Sequence, residues 1–125
     1  MVGFQCRRVY DPAEPDDGLR VLVDRVWPRG MTKARVQADL WLKDIAPSSA
    51  LRTWFGHERS RWGEFRRRYF IELDARPETM AMLLAEAMKG RVTLLYSARD
   101  AECNQAVALM DYLLARSGRA VICSS

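Results

Sequence analysis

Residues 92–96, Val-Thr-Leu-Leu-Tyr, are the run that most constrains the fold. The run is β-rich and almost wholly apolar, without the alternation of a half-exposed strand, so it reads as a central strand covered on both faces. Stretches of helical periodicity flank it. Before it, Pro77 opens a helix in which Met80, Leu83, Leu84, Ala87 and Met88 face inward and Gly90 marks the stop. After it, Asp100 stands where an N-cap belongs, and Cys103, Ala106, Val107, Met110 and Leu114 outline the buried face of a helix running to about Arg116. Gly118 then ends that helix, and residues 120–123 fit one last strand. A covered strand needs strand partners, and connections that contain helices give parallel ones.

The remaining segments supply those partners. Residues 4–9 and 19–26 read as strands, joined by a stretch rich in Asp, Pro and Gly. In the second, Leu19, Val21 and Val23 face one way and Arg20, Leu22 and Asp24 the other, so Leu22 implies partial burial on both faces. Trp27-Pro28-Arg29-Gly30 ends it, and Thr32 caps a short helix to about Gln37. Residues 39–45 fit either a short strand or one helical turn, and the strand is preferred. Pro47-Ser48-Ser49 opens a helix carrying Leu51, Trp54 and Phe55, with Gly56 at its C′ position. Over residues 60–74, Trp62, Phe65, Tyr69 and Leu73 make one stripe, which is core packing before it is a base-stacking surface. Strands alternating with helices predict one compact α/β domain over residues 1–125, with a small, mostly parallel sheet and helices on both faces. At 125 residues the chain buries roughly two thirds of its unfolded surface, enough for a core without staples or metal.

Charge narrows the classes of function. Lys and Arg total 20 against 16 acids, a net +4, and 17 of the 20 are Arg. Three of the four excess charges fall in residues 51–76, where Arg61, Arg66 and Arg67 are least compensated. That field is too mild for a duplex-DNA binder, though it leaves a weak case for nucleic acid through those three arginines. Arg grips phosphate and carboxylate two-pronged, and a codon bias explains the excess equally well. The longest apolar run, residues 80–85, cannot cross a membrane, and no signal segment opens the chain, so a cytoplasmic protein is expected. Cys6, Cys103 and Cys123 lack metal or disulfide spacing. Cys6 is a small buried hydrophobe by this reading. Cys103 falls in the first turn of a helix, where the dipole lowers a thiol pKa, but no base stands near it in sequence.

Open α/β sheets take ligands beyond the carboxyl ends of their strands, and two loops here meet that description. The first contains Asp24, Arg25, Trp27, Arg29 and Gly30 and leads to Thr32. Free N–H groups at a helix entrance and two guanidiniums there suit an anion. Trp27 either stacks a ring or wedges the packing, and Asp24 is either an acid or base or an ion-pair partner of Arg25 or Arg20. The second contains Tyr96, Ser97 and, in the next helix, Asn104, which orients a ligand or bonds the preceding loop. Ser97 lacks a GxSxG frame and a visible triad partner. His57 is either a dipole partner at a helix end or a proton carrier. Neither GxGxxG nor GxxxxGK[ST] occurs, and no metal-ligand cluster or cofactor is implied.

Taken together, the motifs resemble a known family. The sequence Gln5-Cys6-Arg7-Arg8-Val9-Tyr10-Asp11, RVLVDRVWPRG at 20–30, WLKDIAPS at 41–48, Leu51-Arg52, WFGH at 54–57, Phe65, Tyr69, Glu72-Leu73, TLLYSA at 93–98 and NQAV at 104–107 are similar to the DUF488 (YeaO-like) family of small bacterial proteins. The resemblance spans nearly the whole chain and implies a Rossmann-like α/β domain in bacterial cytoplasm. It brings no established activity. The residues themselves favour a binder or processor of an anionic phosphorylated ligand such as a nucleotide or nucleic-acid end. Arg25, Trp27, Arg29, Gly30, Thr32, Tyr96 and Asn104 are the binding candidates, and Asp24, His57 and Ser97 the catalytic ones. The alternative is a non-catalytic regulatory or interaction module.

Overall fold

A computed structural model describes residues 3–124, with side chains through residue 117. Residues 92–96 lie at the heart of it, in strand β4 (Arg91–Tyr96). Strand β1 (Gly3–Arg8) pairs with one side of β4, β2 (Leu19–Leu22) with the other, and the two-residue β3 (Leu40–Trp41) pairs with β2. All pairings are parallel, in the order β1-β4-β2-β3. The small parallel sheet of the sequence reading is therefore what forms.

The connections place helices on both faces. Helix α1 (Lys33–Val36), capped by Thr32, lies between β2 and β3, and its Val36 packs with Val9, Leu22, Met31 and Leu95 on one face. The return from β3 to β4 carries α2 (Ser49–Phe55), α3 (Trp62–Asp74) and α4 (Pro77–Lys89) across the other face, and α5 (Gln105–Ser124) follows β4 onto it. That face holds the main core, where Val21, Val92, Leu94 and Tyr96 of the sheet meet Phe65, Tyr69, Leu83 and Leu109 of the helices. Opposite directions of crossover on opposite faces are what a uniform right-handed rule requires.

The smaller face carries a buried polar row. Register aligns Gln5, Thr93 and Arg20 across three strands. Arg20 and Asp17 form an ion pair there and are 5% and 1% exposed. Gln5 Nε2 donates to Asp17 Oδ1 at 3.0 Å, and the remaining Arg20 donors reach the Val36 and Gln37 carbonyls. Every charge in this row has a partner, the condition for burying it without loss of the fold.

Several boundaries differ from the sequence reading. Strand β2 ends at Leu22 rather than continuing to residue 26, because the chain must leave the sheet to build the loop beyond it. Residues 39–45 divide into the two-residue β3 and a 3-10 turn, Lys43–Ile45. Helix α5 begins at Gln105, with Asp100 capping a bend by accepting from the Glu102 and Cys103 N–H groups. Asn104 is the residue whose side chain caps the helix, accepting from Val107 N at 3.0 Å. The helix runs through Gly118 and through the residues read as a last strand, since a mid-helix glycine costs about 1 kcal/mol and is not an obligatory stop. Its buried face is Ala106, Ala108, Leu109, Tyr112 and Leu113, leaving Leu114 exposed, and Met88 of α4 is exposed as well.

Candidate ligand cleft

The loop after β2 is fastened from several directions. Val23 N donates to the Leu95 carbonyl at 3.1 Å, and Trp41 Nε1 donates to the Asp24 carbonyl at 2.7 Å. Arg25 donates through Nε to the Pro47 carbonyl and through Nη2 to the Ala46 carbonyl, while Tyr69 Oη fixes the neighbouring Ile45 carbonyl at 2.6 Å. These ties hold Asp24 at the carboxyl end of β2 with its side chain only 6% exposed. Oδ1 accepts from Gln105 Nε2 at the start of α5. Buried Oδ2 has no hydrogen-bond partner among the described residues. Burial pushes the Asp24 carboxyl above the ordinary aspartate range, outweighing the downward pull of Ser97, Arg52 and Gln105 beside it. Ser97 approaches the carboxyl, but it does not give Oδ2 a hydrogen bond of ordinary geometry.

Asp24 lines a cleft of about 350 Å³ at the carboxyl ends of β2 and β4. That volume lies at the small end of the range for small-molecule sites. Arg25, Ala46 and Pro47 form one wall. A second comes from Arg52, Phe55 and His57 on α2 and just beyond it. Gly56 and His57 both adopt left-handed backbone, with φ of 53° and 59°, which turns the chain sharply enough to return the imidazole to the cleft rim. Phe55 stacks on Phe65 with centroids 4.4 Å apart, giving an apolar side. Ser97, Cys103, Asn104 and Gln105 complete the ring. Burial raises the Cys103 thiol, which precedes α5 instead of occupying its first turn, so the sequence expectation of a lowered pKa is corrected.

A second, more open depression of about 670 Å³ adjoins the first. Val26 and Ser97 line both. Its other walls include Arg8, Tyr10, Trp27, Arg29 and Arg99.

The structure thus gathers five of the ten candidate residues, Asp24, Arg25, His57, Ser97 and Asn104, around one cleft. Arg29 and Trp27 belong to the neighbouring depression. Trp27 is wedged edge-on against Trp41 at 5.4 Å, and its Nε1 donates to the Met31 carbonyl. Gly30 (φ 77°) makes the turn into α1, and Thr32 Oγ1 accepts from Arg35 N. Neither of those two residues, nor the core-packed Tyr96, lines either hollow. Asn104 also donates to the Asp100 carbonyl, so it bonds the preceding loop as well as capping α5. On α3, Arg66 pairs with Asp111 and Arg67 with Glu64, while Arg61 donates to the Trp54 carbonyl. Sequence reasoning missed Arg52 and Gln105 as site residues. Both lie within family-like motifs, which is the signal that would have found them.

Comparison with known proteins bears on the family. A family model described as the inactive DUF488-N3 subclade matches residues 3–121. The uncharacterised protein YeaO of Escherichia coli K12 is 45% identical over 112 residues, covering 90% of this chain and 97% of its own length. The uncharacterised protein Rv3073c of Mycobacterium tuberculosis H37Rv is 40% identical over 111 residues, covering 87% of this chain and 92% of its own. No solved structure matches the chain significantly. With a family match over almost its whole length, the chain belongs to the DUF488 family, in the subclade described as inactive DUF488-N3.

Proposed function

We propose that the protein binds an anionic, phosphorylated small molecule of the nucleotide class in the Asp24 cleft, and holds it without turning it over. The observation that carries this reading is Asp24 itself. A buried carboxyl with one unpartnered oxygen is a standing cost of about 1–3 kcal/mol, and a ligand donor reaching that oxygen would remove it. A base amino or imino group is such a donor. Arg52 and the uncommitted N–H groups of Arg25 would then face the phosphate, the mixture of one carboxyl with two guanidiniums that suits a nucleotide better than a plain anion. Phe55 and Phe65 supply an apolar side for the base.

Binding without chemistry fits the remaining groups. Burial raises the Cys103 thiol, so it is not activated as a thiolate. The subclade's description as inactive agrees with this. Nucleoside monophosphates tested by thermal shift should raise the melting temperature of the wild type, by the equivalent of about 2.7 kcal/mol at a hundred times Kd. Arg52→Ala should abolish the shift, and the nucleotide should be recovered unchanged by mass spectrometry. No shift with any of the four common bases at millimolar concentration would defeat the reading, as would an equal shift in Arg52→Ala.

A further inference from the structure

The arginine excess is not spread evenly over the ion pairs. Arg7, Arg20, Arg59, Arg66, Arg67, Arg68 and Arg116 each pair with a carboxylate. Arg8, Arg29 and Arg99, which line the second depression, pair with none among the described residues. Residues distant in sequence converge there: Arg8 from the end of β1, Arg29 from the loop after β2, and Arg99 from the loop after β4. Three arginines without a carboxylate partner around one depression make a lining that suits an anion. Arg8 is also held in place, donating through Nε to the Ala98 carbonyl at 3.1 Å and lying over the Tyr10 ring at 4.7 Å. A guanidinium fixed in this way loses little freedom on binding phosphate.

Continuity with the Asp24 cleft gives this charge its meaning. Val26 and Ser97 stand between the two hollows and belong to both, so one extended ligand can occupy them together. We infer that the bound molecule carries at least two phosphates, one beside Arg52 and Arg25 in the cleft and a further one on Arg8, Arg29 and Arg99. This deepens the nucleotide reading and rests on it. Two sources share the chemistry, a nucleoside with a phosphate chain and a short oligonucleotide whose next phosphodiester crosses the Ser97 divide. The open second depression, flanked by exposed Tyr10 and Val26, sets no upper limit on length.

Arg29 and Arg99 are both exposed, so the double variant Arg29→Ala/Arg99→Ala should fold with an unchanged melting temperature. Calorimetry then compares AMP, ATP and the dinucleotide pApA on this variant and the wild type. The wild type should bind ATP or pApA at least tenfold more tightly than AMP, with the preferred one identifying the source. The double variant should lose that gain while keeping its affinity for AMP. Equal affinities for all three ligands in the wild type, or an equal loss for all three in the variant, would overturn the inference. If no nucleotide binds, inorganic tripolyphosphate separates the two failures. Its binding to the wild type and loss in the variant would sustain the arginine subsite while the nucleotide reading falls, and absence of that binding would sink both.

Discussion

Replacing Asp17 by asparagine removes one charge from a pair that water does not reach. Asp17 and Arg20 are 1% and 5% exposed, and Asp17 also accepts from Gln5 Nε2 and from Glu14 N, each at 3.0 Å. Burial alone would push its carboxyl up, but the Glu14 N–H and the Arg20 guanidinium outweigh burial and hold it below the ordinary aspartate range. Asparagine keeps the shape and leaves Arg20 charged among carbonyls, which typically costs about 3–5 kcal/mol for a buried pair. For a chain of this size the unfolding entropy is about 0.26 kcal/mol per kelvin, so the melting temperature should fall by roughly 10–20 °C. Urea denaturation at pH 7 should show the same loss in midpoint with an unchanged slope. The sign with pH follows from the lowered pKa: the pair's contribution is fully present above the unfolded aspartate value of about 3.9 and disappears as pH falls through the lower folded value. A loss below about 1 kcal/mol at pH 7 would refute the assignment of this pair as a structural clamp.

Other expectations concern backbone and thiols. Gly18 has φ 66°, and a Cβ there would land on the Arg91 carbonyl, so Gly18→Ala should cost at least about 2 kcal/mol in urea denaturation. Gly30, at φ 77°, has open space around it, so Gly30→Ala should cost only about 1 kcal/mol for the strained conformation. Cys6 and Cys103 both have raised pKa values, Cys6 at about 12, so alkylation by iodoacetamide at pH 7 should run slower at both than at free cysteine.

How much of this was legible in the sequence depends on how local each signal is. The central strand, the cap at Thr32, the helix opened by Pro47-Ser48-Ser49 and the stripe Phe65, Tyr69, Leu73 are read from neighbours in the chain, and the structure has them. The end of β2, the identity of the α5 cap and the face that α5 buries depend on packing from outside the segment. Asn104 displaces Asp100 as the cap because residues 101–104 form bends and the helix starts only at Gln105. The loops at strand ends lie where the cleft forms. They did not separate Arg25 from Arg29, which fall on either side of the Val26 and Ser97 divide. Nor did they show that Arg52 and Gln105 come from helices far along the chain to meet Asp24.

The contrast between the two buried aspartates leads to the most direct test. Asp17 is fully paired and serves the fold, whereas Asp24, which lines the cleft, leaves one buried oxygen without a hydrogen-bond partner among the described residues. Because the folded pKa of Asp24 is raised, its ionised form costs stability, increasingly as pH rises from about 3.9 through the higher folded value. Calorimetric unfolding of Asp24→Asn, with and without saturating nucleotide, measures both sides of the claim. The variant should melt higher than the wild type at pH 7 but not at pH 3, and should lose at least tenfold in nucleotide affinity, about 1.4 kcal/mol. A variant that melts several degrees lower at pH 7, or that binds nucleotide as tightly as the wild type, would contradict a ligand-facing role for Asp24.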